Sequence, residues 1–307
     1  MSYSNSIIFG PIPSRRFGIS LGIDLSPGKK QCNFDCLYCE LEGAKTVDKM
    51  DEYPSVENII NEIKNSFKTH HKIDVITLTA NGEPTLYPKL DELINEINKI
   101  KANTKTLILS NGSTIYKKEI YDALLKIDIV KLSLDCISEK CFKKLDRVNS
   151  SVETQKIVPA MINFSKQTKN DLVLEILFVK DLNDKIEEIE LLNEAINQIK
   201  PKRVDIGTID RTPAYEVKPV TYEFLENVAS EFKNINVNIV YKNRPKSIQI
   251  YSEDEIIKML KRRPLTAEDI ENMFDEQSKE TLNDLIKSNI ITIVNSSGVE
   301  FYKNLLK

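Results

Sequence analysis

The 307-residue chain has no tryptophan, only two histidines, nine glycines and eight arginines. The two histidines, His70 and His71, adjoin each other at a predicted helix end, so a zinc site built on imidazole partners has little to draw on. No apolar run is long enough to span a membrane: Ile73–Ala80 is interrupted by Asp and Thr. The N-terminus, MSYSNSIIFGPIP, lacks a basic leader and a long apolar segment, which argues against a signal peptide and for a cytoplasmic protein. Charge of one sign is also missing. The 43 basic and 46 acidic residues leave a net charge of −3, which excludes a nucleic-acid binder working by a strongly basic bulk field. With 41% hydrophobic and 29% charged residues, the composition is that of a globular protein, neither disordered nor fibrous.

Arginine is scarce beside 35 lysines, so each arginine marks a place where a flat, permanently charged fork is wanted. Arg15 and Arg16 stand together between a Pro-rich segment and Gly18. They are expected to lie near the cysteine loop described below and to bind an anion of the substrate, a phosphate or a carboxylate. The plainer alternative is a solvated turn.

Apolar, β-branched runs alternate with amphipathic ones. Strands are predicted at Ser20–Leu25, Ile73–Ala80, Thr106–Ser110, Asp128–Leu134, Leu172–Lys180, Arg203–Ile209 and Val237–Tyr241. Helices are predicted at Pro54–His70, Pro88–Lys101, Tyr116–Lys126, Val152–Gln167, Asp184–Ile199 and Thr221–Phe232. This alternation means parallel strands joined by crossovers. The fold class is α/β, an open, partial (β/α)6 TIM-like barrel over residues 1–250. In such barrels the site lies at the C-terminal ends of the strands, which gathers the cysteine loop, Gly82-Glu83-Pro84, Asn111 and Asp135 on one rim.

Residues 251–307 read as a second, winged-helix-like domain: three helices, at Ser252–Lys261, Ala267–Phe274 and Ser278–Lys287, then a hairpin turning at Asn295–Gly298. Ser252 and Glu255 have the spacing of a capping box. The segment holds eight basic and eleven acidic residues. Phosphate contacts dominate DNA affinity, so specific duplex DNA binding is not expected. A protein-contact or substrate-positioning role fits the charge better.

Of five cysteines, Cys32, Cys36 and Cys39 fall within eight residues as C-x3-C-x2-C. In a reducing compartment such a group reads as metal or redox chemistry, not a disulfide frame. Three thiolates on one short loop suit three irons of a [4Fe–4S] cube, leaving the fourth open to a small molecule. A zinc site normally shows two C-x2-C pairs or histidine partners. Cys136 and Cys141, about a hundred residues on, read as ordinary thiols. An iron–sulfur redox sensor with a winged-helix reader is the competing function class, and a structural zinc scaffold is a third.

C-x3-C-x2-C with Tyr38 before its third cysteine, followed by Asn81-Gly82-Glu83-Pro84 after the second strand, resembles the radical S-adenosylmethionine (SAM) superfamily over about residues 7–250. Phe9–Arg16, Gly22-Ile23-Asp24 and Gly82–Leu86 resemble more narrowly a subgroup related to the wyosine-type tRNA enzymes, whose members often carry a C-terminal winged helix. Asn81 stands where the family has its first glycine, and Asn also accepts left-handed turns.

The resemblance implies a [4Fe–4S] cluster on Cys32, Cys36 and Cys39 and SAM chelated to its open iron. It implies that the backbone around Gly82, Glu83 and Pro84 receives the SAM ammonium, with Glu83 as an acceptor. Asn111, Ser133 and Asp135 then face the SAM ribose or carboxylate, and Glu175 and Asp210 are further candidates. It also implies reductive SAM cleavage to a 5′-deoxyadenosyl radical that takes hydrogen from the substrate, an electron donor such as flavodoxin or ferredoxin, and a tRNA base as the leading substrate, with a protein side chain, a glycyl residue or a small metabolite as the rivals. Residue-only readings stand beside these roles: Glu83 as a cap before Pro84, Asp135 as a helix N-cap, and Ser133 as an interior barrel position.

Overall fold

A computed structural model describes residues 7–14, 16–70, 72–211, 213–240, 248–262, 264–296 and 299–305. Arg15, His71, Arg263 and the hairpin tip at 297–298 lie outside the described residues.

The chain opens with β1 (Ile8–Ser14), antiparallel to β2 (Gly18–Asp24). The sequence reading missed β1, because Pro11 and Pro13 look like turn signals. At a sheet edge, however, a missing N–H costs nothing. Then come α1 (Val56–Thr69), β3 (Val75–Thr79), α2 (Leu90–Ile100), β4 (Lys105–Ser110), α3 (Lys118–Leu124) and β5 (Ile129–Ser133). They are followed by α4 (Glu139–Cys141), α5 (Ile157–Gln167), β6 (Asp171–Phe178), α6 (Ile186–Ile199), β7 (Arg203–Thr208), α7 (Tyr222–Glu231) and β8 (Val237–Ile239). The sheet order is β1 through β8 without permutation, and β2 to β8 are parallel. Among the described residues β8 does not pair back to β1, so the barrel is open.

Local chemistry sets the boundaries. Ser55 caps α1, accepting from Asn58 N at 3.2 Å, and α1 buries Val56, Ile59, Ile60 and Ile63 at helical spacing. The predicted helix over Val152–Gln167 starts late, at Ile157. Pro159 then falls in its first turn, where its missing N–H has no intrahelical partner to lose.

Each strand sorts its side chains by parity. Ile76, Leu78, Ile108, Leu132, Leu174, Ile176 and Ile206 face outward and are fully buried beneath the helices. The inward positions divide by height. At the N-terminal ends Val75, Leu107, Ile129 and Val173 form their own plug, with Phe17 packed against it. Towards the C-terminal ends the inward side chains are half-exposed although protein surrounds them: Thr79, Ser133, Leu177 and Gly207 are intermediate and Leu109 is 37% exposed. The upper half of the barrel is thus an open chamber over a closed floor.

Residues beyond 250 form α8 (Glu253–Arg262), β9 (Leu265–Thr266), α9 (Ala267–Met273), α10 (Glu276–Lys287), β10 (Ile291–Ser296) and β11 (Val299–Asn304). The small sheet has the order β10-β11-β9, and this part has its own core of Tyr251, Ile256, Leu260, Phe274 and Leu282. Ser252 and Glu255 do bond reciprocally (Ser252 N to Glu255 Oε2 at 2.8 Å), and Thr266 with Asp269 makes a second capping box. Ile12 of β1 packs against this core. No helix of the described residues is long and apolar enough to cross a membrane.

Candidate functional site

The loop carrying Cys32, Cys36 and Cys39 leaves β2 and is fixed at its root by Gln31. Gln31 N donates to Asn81 O and Glu83 N donates to Gln31 O, each at 2.9 Å. The Gln31 side chain accepts from Asp51 N at 2.8 Å and donates to Ser26 Oγ at 2.7 Å. Asp24 at the end of β2 accepts from Asn81 N at 2.8 Å, which ties the ends of β2 and β3 together. Gly82 sits between these bonds with φ +135°, a conformation that glycine tolerates and side chains resist.

Further along, Asp35 N donates to Asp146 O at 3.0 Å and Leu37 N to Leu145 O at 2.9 Å. From the far side Ala214 N donates to Cys39 O at 2.7 Å, and Tyr215 Oη donates to Asp35 Oδ2 at 2.7 Å. Residues 145, 146, 214 and 215 carry no local signal; only the closure of the barrel brings them to the loop.

The three cysteines are free. Burial, with the Glu83 charge adding to it, pushes the Cys32 thiol up to about 12, and burial also raises Cys36 and Cys39. Thiolates are therefore held here only with a cationic partner. Donors already address the sulfurs: Phe34 N at 3.4 Å and Asn111 Nδ2 at 3.8 Å from Cys32 Sγ, and Lys30 Nζ at 3.7 Å from Cys39 Sγ. Such hydrogen bonds to ligating sulfur are what an iron–sulfur site uses. Three thiols without a fourth cysteine in the loop suit a cube with one open iron.

Glu83 is buried and its carboxylate is fully engaged. Oε1 accepts from Thr85 N at 2.9 Å, Thr85 Oγ1 at 2.5 Å and Ser110 Oγ at 2.7 Å; Oε2 accepts from Asn111 N at 2.7 Å. It caps the short turn Pro84–Leu86 and braces the ends of β3 and β4, so the cap reading describes this carboxylate better than that of an acceptor for SAM. Asn111 in turn donates to Asn33 Oδ1 at 2.9 Å, inside the cysteine loop.

Asp135 is no helix N-cap; Ser138 caps α4. Instead Asp135 Oδ1 accepts from Leu177 N at 2.6 Å and Oδ2 accepts from Tyr38 Oη. Burial pushes its carboxyl up to about 7. Tyr38, Asn111, Ser133 and Asp135 line one small cleft beside the loop, so three candidates from the ends of two neighbouring strands, β4 and β5, do converge.

Two expectations need correction. Arg16 precedes β2 and so enters the barrel from the end opposite the cysteine loop. Its Nη1 donates to Glu175 Oε1 at 3.0 Å and Asp205 Oδ2 at 2.9 Å, so the arm of the fork that reaches into the barrel is taken by the chain's own carboxylates and not left for a substrate anion. A lone burial-prone carboxylate on a central strand demands a partner, and Arg16 and Lys131 supply it. Asp205 also accepts from Arg203 Nε at 2.8 Å and Asn238 Nδ2 at 3.0 Å. Second, Cys136 and Cys141 are not separate thiols. The chain folds back after β5, brings their Cα atoms to 5.5 Å, and a disulfide joins them.

With this geometry in place, the comparisons with known proteins agree. The radical SAM superfamily domain matches residues 29–195. The chain belongs to the radical SAM superfamily, and its cofactors are accordingly a [4Fe–4S] cluster and SAM. It is 40% identical over 299 residues to a UPF0026 protein of Helicobacter pylori, covering 96% of this chain and 97% of that one. It is 22% identical over 204 residues to the probable dual-specificity RNA methyltransferase RlmN of Exiguobacterium sibiricum, covering 62% of this chain and 54% of that one. In fold it is similar to TYW1 solved with a lysine–pyruvate adduct, with a TM-score of 0.53 at 15% identity over 93% of this chain and 80% of that one.

Proposed function

We propose that this chain is a radical SAM enzyme acting on a nucleobase of RNA, a tRNA base in particular. Cys32, Cys36 and Cys39 are the iron ligands; when bound, the reduced cluster supplies the electron that cleaves SAM. The backbone at Gly82–Pro84, anchored to the loop through Gln31, receives the SAM amino group, while Asn111, Ser133 and Asp135 line the cleft for its remaining polar groups. Glu83 acts through Asn111 and is a positioning residue. Tyr38 and Asp135 close the loop against the barrel and keep water from it.

One observation carries the enzyme class in this reading: three half-buried thiols, with donors aimed at the Cys32 and Cys39 sulfurs, stand on the rim of an open chamber. A redox sensor has no use for that chamber. Support for RNA comes from the resemblance to the wyosine-type tRNA enzymes and from the RNA methyltransferase relative. Residues 251–307, read as a winged helix, serve as a contact surface for substrate or protein, and a flavodoxin or ferredoxin serves as the electron donor.

The test is anaerobic reconstitution followed by reduction in the presence of SAM. About four irons per chain are expected, with 5′-deoxyadenosine formation accelerated by unfractionated tRNA from a strain lacking the gene. If that tRNA leaves the rate unchanged while the protein still cleaves SAM, the RNA assignment falls and the enzyme class stands.

A further inference from the structure

The chamber above the plug has one feature with no part in holding the cysteine loop. Glu175, on the inward face of β6, pairs in register with Ser133 of β5 on one side and Asp205 of β7 on the other. Its side chain is 34% exposed, although its strand is central in the sheet and neighbours Leu174 and Ile176 are fully buried. That exposure is to the chamber. Beside it Leu109, Leu177 and Gly207 are open to the same space, and Gly207 contributes no side chain to fill it.

The carboxylate is anchored from below. Oε1 accepts from Arg16 Nη1 at 3.0 Å and from Lys131 Nζ. Lys131, with 3% side-chain exposure, also lies 3.5 Å from Asp205 Oδ2. The two cations hold Glu175 ionised, at about 2, against the cost of burial. They occupy the floor; the carboxylate stands above them, level with Ser133. Arg16 therefore does not offer its charge to the chamber. It turns a cation into a platform for an anion, reversing the sign that the arginine pair suggests from sequence.

We propose that Glu175 is a specificity-determining residue that reads the substrate: its anchored carboxylate accepts hydrogen bonds from a nucleobase edge carrying N–H donors. This rests on the RNA reading above and names which edge faces the chamber. A carboxylate has acceptors only, and it rejects an acceptor-only edge because lone pairs set against its oxygens repel one another and form no hydrogen bond.

The experiment uses the reconstituted full chain, SAM and unfractionated tRNA from the deletion strain, comparing wild type with Glu175→Gln and Glu175→Asp. Readouts are iron content, the SAM-induced change in the electron paramagnetic resonance spectrum of the reduced cluster, and tRNA-stimulated 5′-deoxyadenosine formation. Glu175→Gln should retain the iron and the spectral change but lose tRNA stimulation at least tenfold. Glu175→Asp, which keeps the charge, should recover part of it. Stimulation of Glu175→Gln equal to wild type overturns the proposal. Loss of the SAM-induced spectral change assigns Glu175 to the SAM site and overturns it equally, as does loss of iron in both variants, which makes the residue structural. If wild type itself is not stimulated, the RNA reading has failed and the base-edge assignment falls with it.

Discussion

Gly82 lies so close to Gln31 that a Cβ on it would stand 1.9 Å from the Gln31 carbonyl oxygen. The contact joins the turn after β3 to the root of the cysteine loop, and the neighbouring atoms are backbone. A glycine is needed here for space and for its positive φ together.

Gly82→Ala should therefore push the loop off its anchor. We expect the variant to fold, since the outer core does not include Gly82, but to retain less than half the iron of wild type after identical reconstitution, as measured by iron assay and cluster absorbance.

The brace made by Glu83 is sensitive to hydrogen-bond polarity. In Glu83→Gln one terminal atom becomes a donor, facing either Asn111 N–H or the donors of Thr85 and Ser110. A cost of about 1–3 kcal/mol is expected for the mismatched pair, read as a lower melting temperature. SAM affinity should fall as Asn111 shifts, while iron content stays near wild type. Unaltered SAM affinity together with unaltered stability would contradict the bracing role.

Asp135 gives a pH signature. Its carboxyl is raised to about 7 in the folded chain, so the folded state binds its proton more tightly than the unfolded state. Its contribution to stability is full below the ordinary carboxylate range near pH 4. It is lost at up to about 1.4 kcal/mol per pH unit as pH rises towards 7, and is then constant. Asp135→Asn should flatten the dependence of melting temperature on pH between 5 and 7 relative to wild type. Parallel curves for the two proteins would show that Asp135 does not titrate there.

Cys136→Ser and Cys141→Ser remove the disulfide without touching the three free thiols. Both variants should reconstitute about four irons, whereas Cys32→Ala, Cys36→Ala and Cys39→Ala should lose most of them. Iron loss in Cys136→Ser matching that in Cys36→Ala would show that the loop does not ligate alone.

Hydrophobic period and turn residues made the barrel legible along the chain, because each crossover unit writes its own pattern: the buried faces of α1 and α2 and the outward Ile76, Leu78, Val130, Leu132, Leu174 and Ile176 follow the apolar spacing. Strand β1 escaped because its prolines mimic a turn, and an edge strand hides that it lacks donors. The three loop cysteines were equally plain, since their spacing lies within one segment; the need for glycine at position 82 was not, because the carbonyl that excludes a side chain there belongs to Gln31.

The roles of Arg16, Glu83 and Cys136 were decided elsewhere. Arg16 is 159 residues from Glu175 and 189 from Asp205 in the chain; no local pattern announces which carboxylate an arginine will meet, or from which end of a barrel it will arrive. Glu83 is a short-range cap and a long-range brace together, and only the second depends on Ser110 and Asn111 coming alongside. The sequence by itself determined the crossover strands and helices and the three-cysteine loop that suits an iron–sulfur cluster, because those rest on spacing within one segment; SAM as its partner came through the family resemblance. The tertiary structure alone decided the sign of the charge facing the chamber, because that charge is the sum over side chains from strands that meet only when the sheet curls.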